Sequence, residues 1–209
     1  SLTSADLSNT KIKTLSSSTF SGCKKLGSAL LPDSLTKIDS SAFSSCEALT
    51  SIVLPPNLTT LNGAVFNSSG LTSVYIPKSL TTVSSGGSYA FKGVALNKVT
   101  FEEGITTIPA HLFDDSLLSG ITIPETVTSI GNYAFNATPI QTIVIPDAVT
   151  SIGSYAFANA KRLSSVMFGN SLETLGTNVF QNCESLTSAD LSNTKIKTLS
   201  SSTFSGCKK

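Results

Sequence analysis

Tryptophan is absent from this 209-residue chain, methionine and histidine occur once each, and only 13% of residues are charged. Each shortage excludes something. Fourteen Lys and Arg against thirteen Asp and Glu leave a net charge of +1, with no basic patch to neutralise a phosphate backbone, so no nucleic-acid partner is expected. No apolar run approaches the roughly 18 residues of a membrane span, and no positively charged leader precedes an apolar stretch. Membrane insertion of this segment is therefore not expected. What the chain has in quantity is hydroxyl: 36 Ser and 26 Thr give it a surface that is hydroxylic rather than ionic.

It also repeats. Laid out at about 23 residues, the chain follows one template, L-x-x-I-x-I-P-x-x-L-x-x-I-x-x-x-x-F-x-x-C, with copies opening at Leu2, Leu26, Leu49, Leu71, Leu96, Leu118, Ile140, Leu163 and Leu186. The clearest are LTSVYIPKSLTTV from Leu71, LSGITIPETVTSIGNYAF from Leu118 and IQTIVIPDAVTSIGSYAF from Ile140. Leu and Ile at fixed offsets with this period indicate a solenoid. The L-x-x-I-x-I segment alternates and is rich in Val, Ile and Thr, as a half-buried strand should be. A Pro often follows (Pro32, Pro55, Pro77, Pro124, Pro146) and ends the strand, because it cannot donate to a ladder. A shorter extended piece, such as VTSIG, should lie on the opposite side. One Phe then closes each copy: Phe20, Phe43, Phe66, Phe91, Phe113, Phe135, Phe157, Phe180 and Phe204. A single copy cannot bury these side chains, whereas stacked copies bury them as columns.

These motifs closely resemble the BspA-like class of leucine-rich repeats over essentially the whole chain. The resemblance implies a β-rich solenoid, a right-handed coil with a parallel sheet on one face and short extended segments on the other. It further implies an extracellular or cell-surface, non-enzymatic binding or adhesion role. Departures are local: Ser8, Glu102, Gly169 and Ser192 replace the Pro, and the fourth copy is stretched by SSGGSY over 84–89, a predicted bulge.

Residues for catalysis are sparse. The cysteines nearest to His111 by repeat count, Cys46 and Cys183, are three rungs away, about 14 Å at ~4.8 Å per rung, too far for a nucleophilic pair. No Cys/His metal spacing occurs, and no cofactor is expected. The adjacent carboxylates Glu102–Glu103 and Asp114–Asp115 are read as solvated surface, since neighbours on a strand point to opposite faces. The four cysteines share one template position. Stacking brings Cys23 near Cys46, and Cys183 near Cys207, at a Cα separation of about 4.8 Å that a ladder disulfide tolerates. The alternative, which we favour, is that Cys serves as a small apolar filler. N-x-S/T sequons at Asn57, Asn67 and Asn136 are candidate glycosylation sites. Twelve asparagines with roughly 30% Ser and Thr would produce about 3.6 sequons by chance, so the count is no evidence for modification.

The outward fifth position of the strand motif offers the one candidate contact surface. Between flanking Asp6 and Asp190 it holds Leu30, Val53, Tyr75, Thr100, Thr122, Val144 and Met167, an uncharged and largely apolar ridge beside a column of small serines.

A second period overlies the first. Residues 1–25, SLTSADLSNTKIKTLSSSTFSGCKK, recur unchanged as 185–209, an offset of eight copies. No copy reads as a cap, so 1–209 is expected to be one uncapped solenoid. Self-association, by end-to-end stacking or as a continuous tandem array, is the expected partnership. Eight rungs at about 4.8 Å give an axial period near 38 Å. The sequence thus points to an extracellular filament or surface stalk, and second to an adhesion domain whose ridge docks a host protein or glycan.

Overall fold

The computed structural model describes residues 2–84 and 88–208; residues 85–87 of the predicted SSGGSY bulge lie outside them. The described residues contain parallel strands and turns, with no helix. They form two compact units, residues 1–103 and 104–209, each a parallel β-solenoid.

In the first unit one face carries the strands Ser4–Asp6, Ser28–Leu30, Ser51–Val53, Ser73–Ile76 and Lys98–Phe101. The opposite face carries two-residue strands at Thr14–Leu15, Lys37–Ile38, Thr60–Leu61 and Thr82–Val83, paired in that order. The register matches template position to template position: Val74 lies beside Ile52 and Val99, and Leu61 beside Ile38 and Val83. In the second unit Thr142–Val144, Ser165–Met167 and Ser188–Ala189 form one face, and Thr107–Ile108, Ser129–Ile130, Ser151–Ile152 and Thr174–Leu175 the other. The sixth copy forms no strand over 118–123. There Gly120 occupies the position that carries Ser, Thr or Lys in the other copies, and glycine inside a strand weakens it.

The predicted columns are present. In the first unit Phe20, Phe43, Phe66 and Phe91 stack with ring centroids 5.3, 5.6 and 5.1 Å apart. In the second, Phe113, Phe135, Phe157, Phe180 and Phe204 do the same at 5.6, 5.3, 5.5 and 5.6 Å. Leucine and isoleucine columns from both faces fill the rest of each core, with Leu26, Ile38, Leu49, Ile130, Ile152 and Leu163 almost wholly buried.

The third side of each coil is built from overlapping turns. Around Phe43, the N–H groups of Ala42, Ser44 and Cys46 donate to the carbonyls of Asp39, Ser41 and Phe43 (3.3, 3.1 and 3.3 Å). The intervening N–H groups of Ser41, Phe43 and Ser45 donate to Gly63, Val65 and Asn67 of the following copy (3.1, 2.9 and 2.9 Å). Around Phe43 the backbone donors thus alternate between closing a turn and bonding the next rung, and all six are paired. Eight of the nine copies hold two left-handed residues in these turns, and the fourth holds Gly93. One column holds Ser18, Ser41, Ala64, His111, Tyr133, Tyr155, Asn178 and Ser202, at φ between 55° and 60°. The other holds Gly22, Ser45, Ser68, Gly93, Asp115, Ala137, Asn159, Asn182 and Gly206.

Candidate functional site

The ridge lies on the first face of each unit. In the first unit Leu30 and Val53 are 56% and 67% exposed, Thr100 is exposed and Tyr75 half-buried. In the second, Val144 and Met167 are 56% and 64% exposed and Thr122 is exposed. The side chains between them along each strand, such as Ile52, Val74, Ile143 and Val166, turn inward, as the pleat requires. Beside the ridge the strand-ending prolines floor two shallow depressions. One is lined by Leu30, Val53, Pro55 and Pro56, the other by Thr122, Thr142, Val144 and Pro146. The first is mostly apolar, and the second is lined about equally by polar and apolar surface.

Charge is used sparingly, in pairs that climb from one copy to the next. Lys24 Nζ lies 2.8 Å from Glu47 Oε1, and Lys78 Nζ 3.1 Å from Glu102 Oε1. Glu184 takes two lysines, Lys161 at 3.0 Å and Lys208 at 2.9 Å. Hydrogen bonds from Lys208 and then Lys161 hold the Glu184 carboxyl below its ordinary pKa.

The Asp114–Asp115 pair departs from expectation. These residues lie in the third-side turns rather than on a strand, so the alternation argument does not apply, and Asp114 is fully buried. Its Oδ2 lies 2.8 Å from His111 Nδ1, and its Oδ1 accepts from Asn136 Nδ2 at 2.8 Å. The chain of side-chain bonds continues upward: Asn159 Nδ2 donates to Asn136 Oδ1 and Asn182 Nδ2 to Asn159 Oδ1, each at 3.0 Å. Burial raises the Asp114 pKa against the opposing pull of Asn136 and His111. Outside this ladder the His111, Tyr133 and Tyr155 rings stack at 4.8 Å per step. His111 is thus part of a structural column. Glu102 is likewise tied down, accepting from the Lys78 backbone N–H at 3.0 Å.

The four cysteines are free thiols, and neither ladder disulfide is formed. The Sγ of Cys46, Cys183 and Cys207 instead point at the carbonyls of Phe20, Phe157 and Phe180, at 3.2, 3.2 and 3.4 Å. Burial raises the Cys46 pKa to about 11 and that of Cys183 to about 12. Such thiols are poor nucleophiles.

The sequons differ in setting. Asn57 is exposed, its Nδ2 donating to the Asp33 carbonyl at 2.9 Å, and Asn67 is half-buried. Asn136 has both side-chain polar atoms engaged in the ladder above. Among the described residues, no group of three His, Cys, Asp or Glu side chains could hold a metal ion. Among the described residues, no helix is long and apolar enough to cross a membrane.

The profile of the BspA type Leucine rich repeat region (6 copies) matches the chain over residues 1–87 and 84–209. No curated protein matches it. Among solved structures it is similar to a leucine-rich repeat protein from Bacteroides ovatus (19% identity, TM-score 0.48, covering 88% of this chain and 65% of that one). A leucine rich cell surface protein from Faecalibacterium prausnitzii shows 23% identity, a TM-score of 0.47, and coverage of 80% and 60%. The pneumococcal vaccine antigen PcpA shows 22% identity, a TM-score of 0.45, and coverage of 88% and 55%. The chain therefore spans 55–65% of the length of these three proteins.

Proposed function

The chain belongs to the BspA-type leucine-rich repeat family, and from that premise we propose that it is a non-catalytic segment of an extracellular filament or surface stalk built by continued stacking of its turns. One observation carries this reading. Residues 1–25 and 185–209 are the same sequence eight copies apart, and the same Ser-Ala segment pairs with a neighbouring copy at both places. Ser4 and Ala5 pair with Ser28 and Ala29, while Ser188 and Ala189 pair with Ser165 and Val166. An eight-copy block that returns to its starting sequence supplies the repeating unit of a fibre. Near-neutral, Ser/Thr-coated sides also allow fibres to lie side by side without charge repulsion. The extracellular placement is what kinship with the family implies.

Electron microscopy of native material tests the proposal. Unbranched fibres with a layer spacing near 4.8 Å and a longer axial period near 38 Å are the expected result. Discrete, unassembled particles would overturn it. A second reading, adhesion to a host protein or glycan, is favoured by the exposed apolar ridge at Leu30, Val53, Val144 and Met167. It predicts that Val53→Glu abolishes capture of that ligand without altering fibre length.

A further inference from the structure

Two adjacent copies break the template at the same place on the second face. Every other copy carries Ser or Thr at the position of Lys37, and Ser, Gly or Pro at the position shared by Asp39 and Asn62. Only the second and third copies bring an amine, a carboxylate and a carboxamide together there. Strand Lys37–Ile38 pairs with Thr60–Leu61, which sets Asp39 one rung from Asn62. Lys37 Nζ lies 2.8 Å from Asp39 Oδ1, and Asn62 Nδ2 donates to that same oxygen at 2.6 Å. The two nitrogens are therefore no further apart than two hydrogen-bond lengths, with the carboxylate between them. All three side chains are half-buried, and the uncharged Thr14 and Thr60 flank Lys37 in the sheet. The backbone around Asn62 is fixed as well. Its N–H donates to the Ile38 carbonyl at 3.0 Å, and the Gly63 carbonyl accepts from the Ser41 N–H at 3.1 Å.

A nucleophile, an electrophile and a proton carrier that touches both are the parts a transamidation needs. We propose that Lys37 and Asn62 join as an isopeptide bond, a covalent staple between the second and third copies. Asp39 takes a proton from the Lys37 ammonium, and the freed Nζ attacks Asn62 Cγ. A C–N bond forms while the carbonyl electron pair moves onto Asn62 Oδ1. Asp39 hands its proton to Nδ2; the electron pair returns, the Cγ–Nδ2 bond breaks and ammonia leaves. The second proton that Nζ loses follows the same route and departs with the ammonia as ammonium. Lysine ammonium and asparagine carboxamide thus become isopeptide and ammonium, and no oxidant, reductant or co-reactant is consumed. The competing closure of Asn62 Cγ on the Gly63 nitrogen, to a succinimide, requires the backbone to turn at this step. The hydrogen bonds to Ile38 and from Ser41 oppose that approach. Closing a loop of one repeat also constrains the unfolded chain, as a disulfide does, so the staple resists separation of the two rungs. The inference goes beyond the filament reading and holds whether or not the chain assembles.

Mass spectrometry of the full chain is the test, after incubation for days at about pH 9, where more lysine amines are neutral. The expected change is a loss of about 17 Da, the mass of ammonia. Trypsin should then fail to cut after Lys37, leaving residues 26–78 as one peptide, and cleavage after Glu47 should leave its two parts joined. A succinimide at Asn62 has the same mass but leaves Lys37 open to trypsin. Lys37→Arg keeps a positive charge beside Asp39 and should form no link. Asp39→Ala removes the proton carrier and should slow linking about a hundredfold or more. Complete cleavage after Lys37 in the incubated wild type, whether Asn62 is intact, a succinimide or converted to aspartate, overturns the proposal. Linking at an unchanged rate in Asp39→Ala overturns it as well. Should either variant fold poorly, the wild-type measurement decides alone.

Discussion

Side chains on the third side of the coil work under backbone constraint, and two kinds of residue there give opposite expectations. Ala137 is held at φ 55° while its N–H donates to the Ala158 carbonyl at 2.8 Å. A left-handed conformation costs an L-residue roughly 1–2 kcal/mol, and glycine recovers that at a smaller cost in chain entropy. Ala137→Gly should therefore raise stability by roughly 0.5–1 kcal/mol in urea unfolding, while Ala134→Gly, three residues away and outside the left-handed columns, should lower it by about 1–2 kcal/mol. Equal losses at both sites would refute the strain argument. Asp114 is the second kind. Its folded pKa lies above the ordinary value because burial disfavours the charged form, so its unfavourable contribution is absent at low pH and grows as pH rises through that raised pKa. Asp114→Asn keeps an oxygen for Asn136 Nδ2 and continues the asparagine ladder without a charge. Its urea midpoint should exceed that of the wild type increasingly above the ordinary carboxylate range and approach it in acid. A midpoint difference that does not vary with pH would show that the carboxylate is not a burden on the fold.

The repeating element is one rung, and its worth lies in columns rather than in hydrogen-bonded strands of two to four residues. Phe157 is fully buried between Phe135 at 5.3 Å and Phe180 at 5.5 Å. Phe157→Ala should cost about 3–5 kcal/mol, because a column with a gap cannot close without moving the rungs on both sides. Close backbone approach adds a second constraint. At Gly153 a Cβ would collide with the backbone of Gly131 and Asn132 of the preceding copy, so Gly153→Ala should cost about 1–3 kcal/mol by overpacking. The columns were legible in the sequence, since Leu, Ile and Phe recur at offsets that only stacking satisfies. The outward ridge was legible as well, because it follows from strand alternation. Less visible were the two columns of left-handed positions. Ser, Ala, His, Tyr and Asn occupy most of them, and no glycine pattern marks them. The burial of Asp114 was not legible either, because strand alternation does not govern residues that lie in turns. The recurrence of Asn at 136, 159 and 182, roughly one repeat apart, is the signal that could have indicated a side-chain ladder beginning at Asp114.

For the molecule as a whole, the shortage of charge noted at the outset reappears as a thermodynamic expectation. Its inter-copy ion pairs are mostly exposed: the Lys24 and Glu47 side chains retain 67% and 57% of their accessibility, and those of Lys161 and Lys208 retain 65% and 69%. Water and mobile ions screen such pairs, and side-chain entropy opposes them, so they contribute little to folding. The apolar columns are indifferent to screening, and a net charge of +1 gives salt no self-repulsion to relieve. Raising sodium chloride from 0.1 to 1 M shortens the screening length from about 10 Å to about 3 Å and should move the melting temperature of the chain by no more than about 2 °C. A fall in melting temperature of 10 °C or more at 1 M salt would show that the ion ladders, rather than the leucine and phenylalanine columns, hold the rungs together.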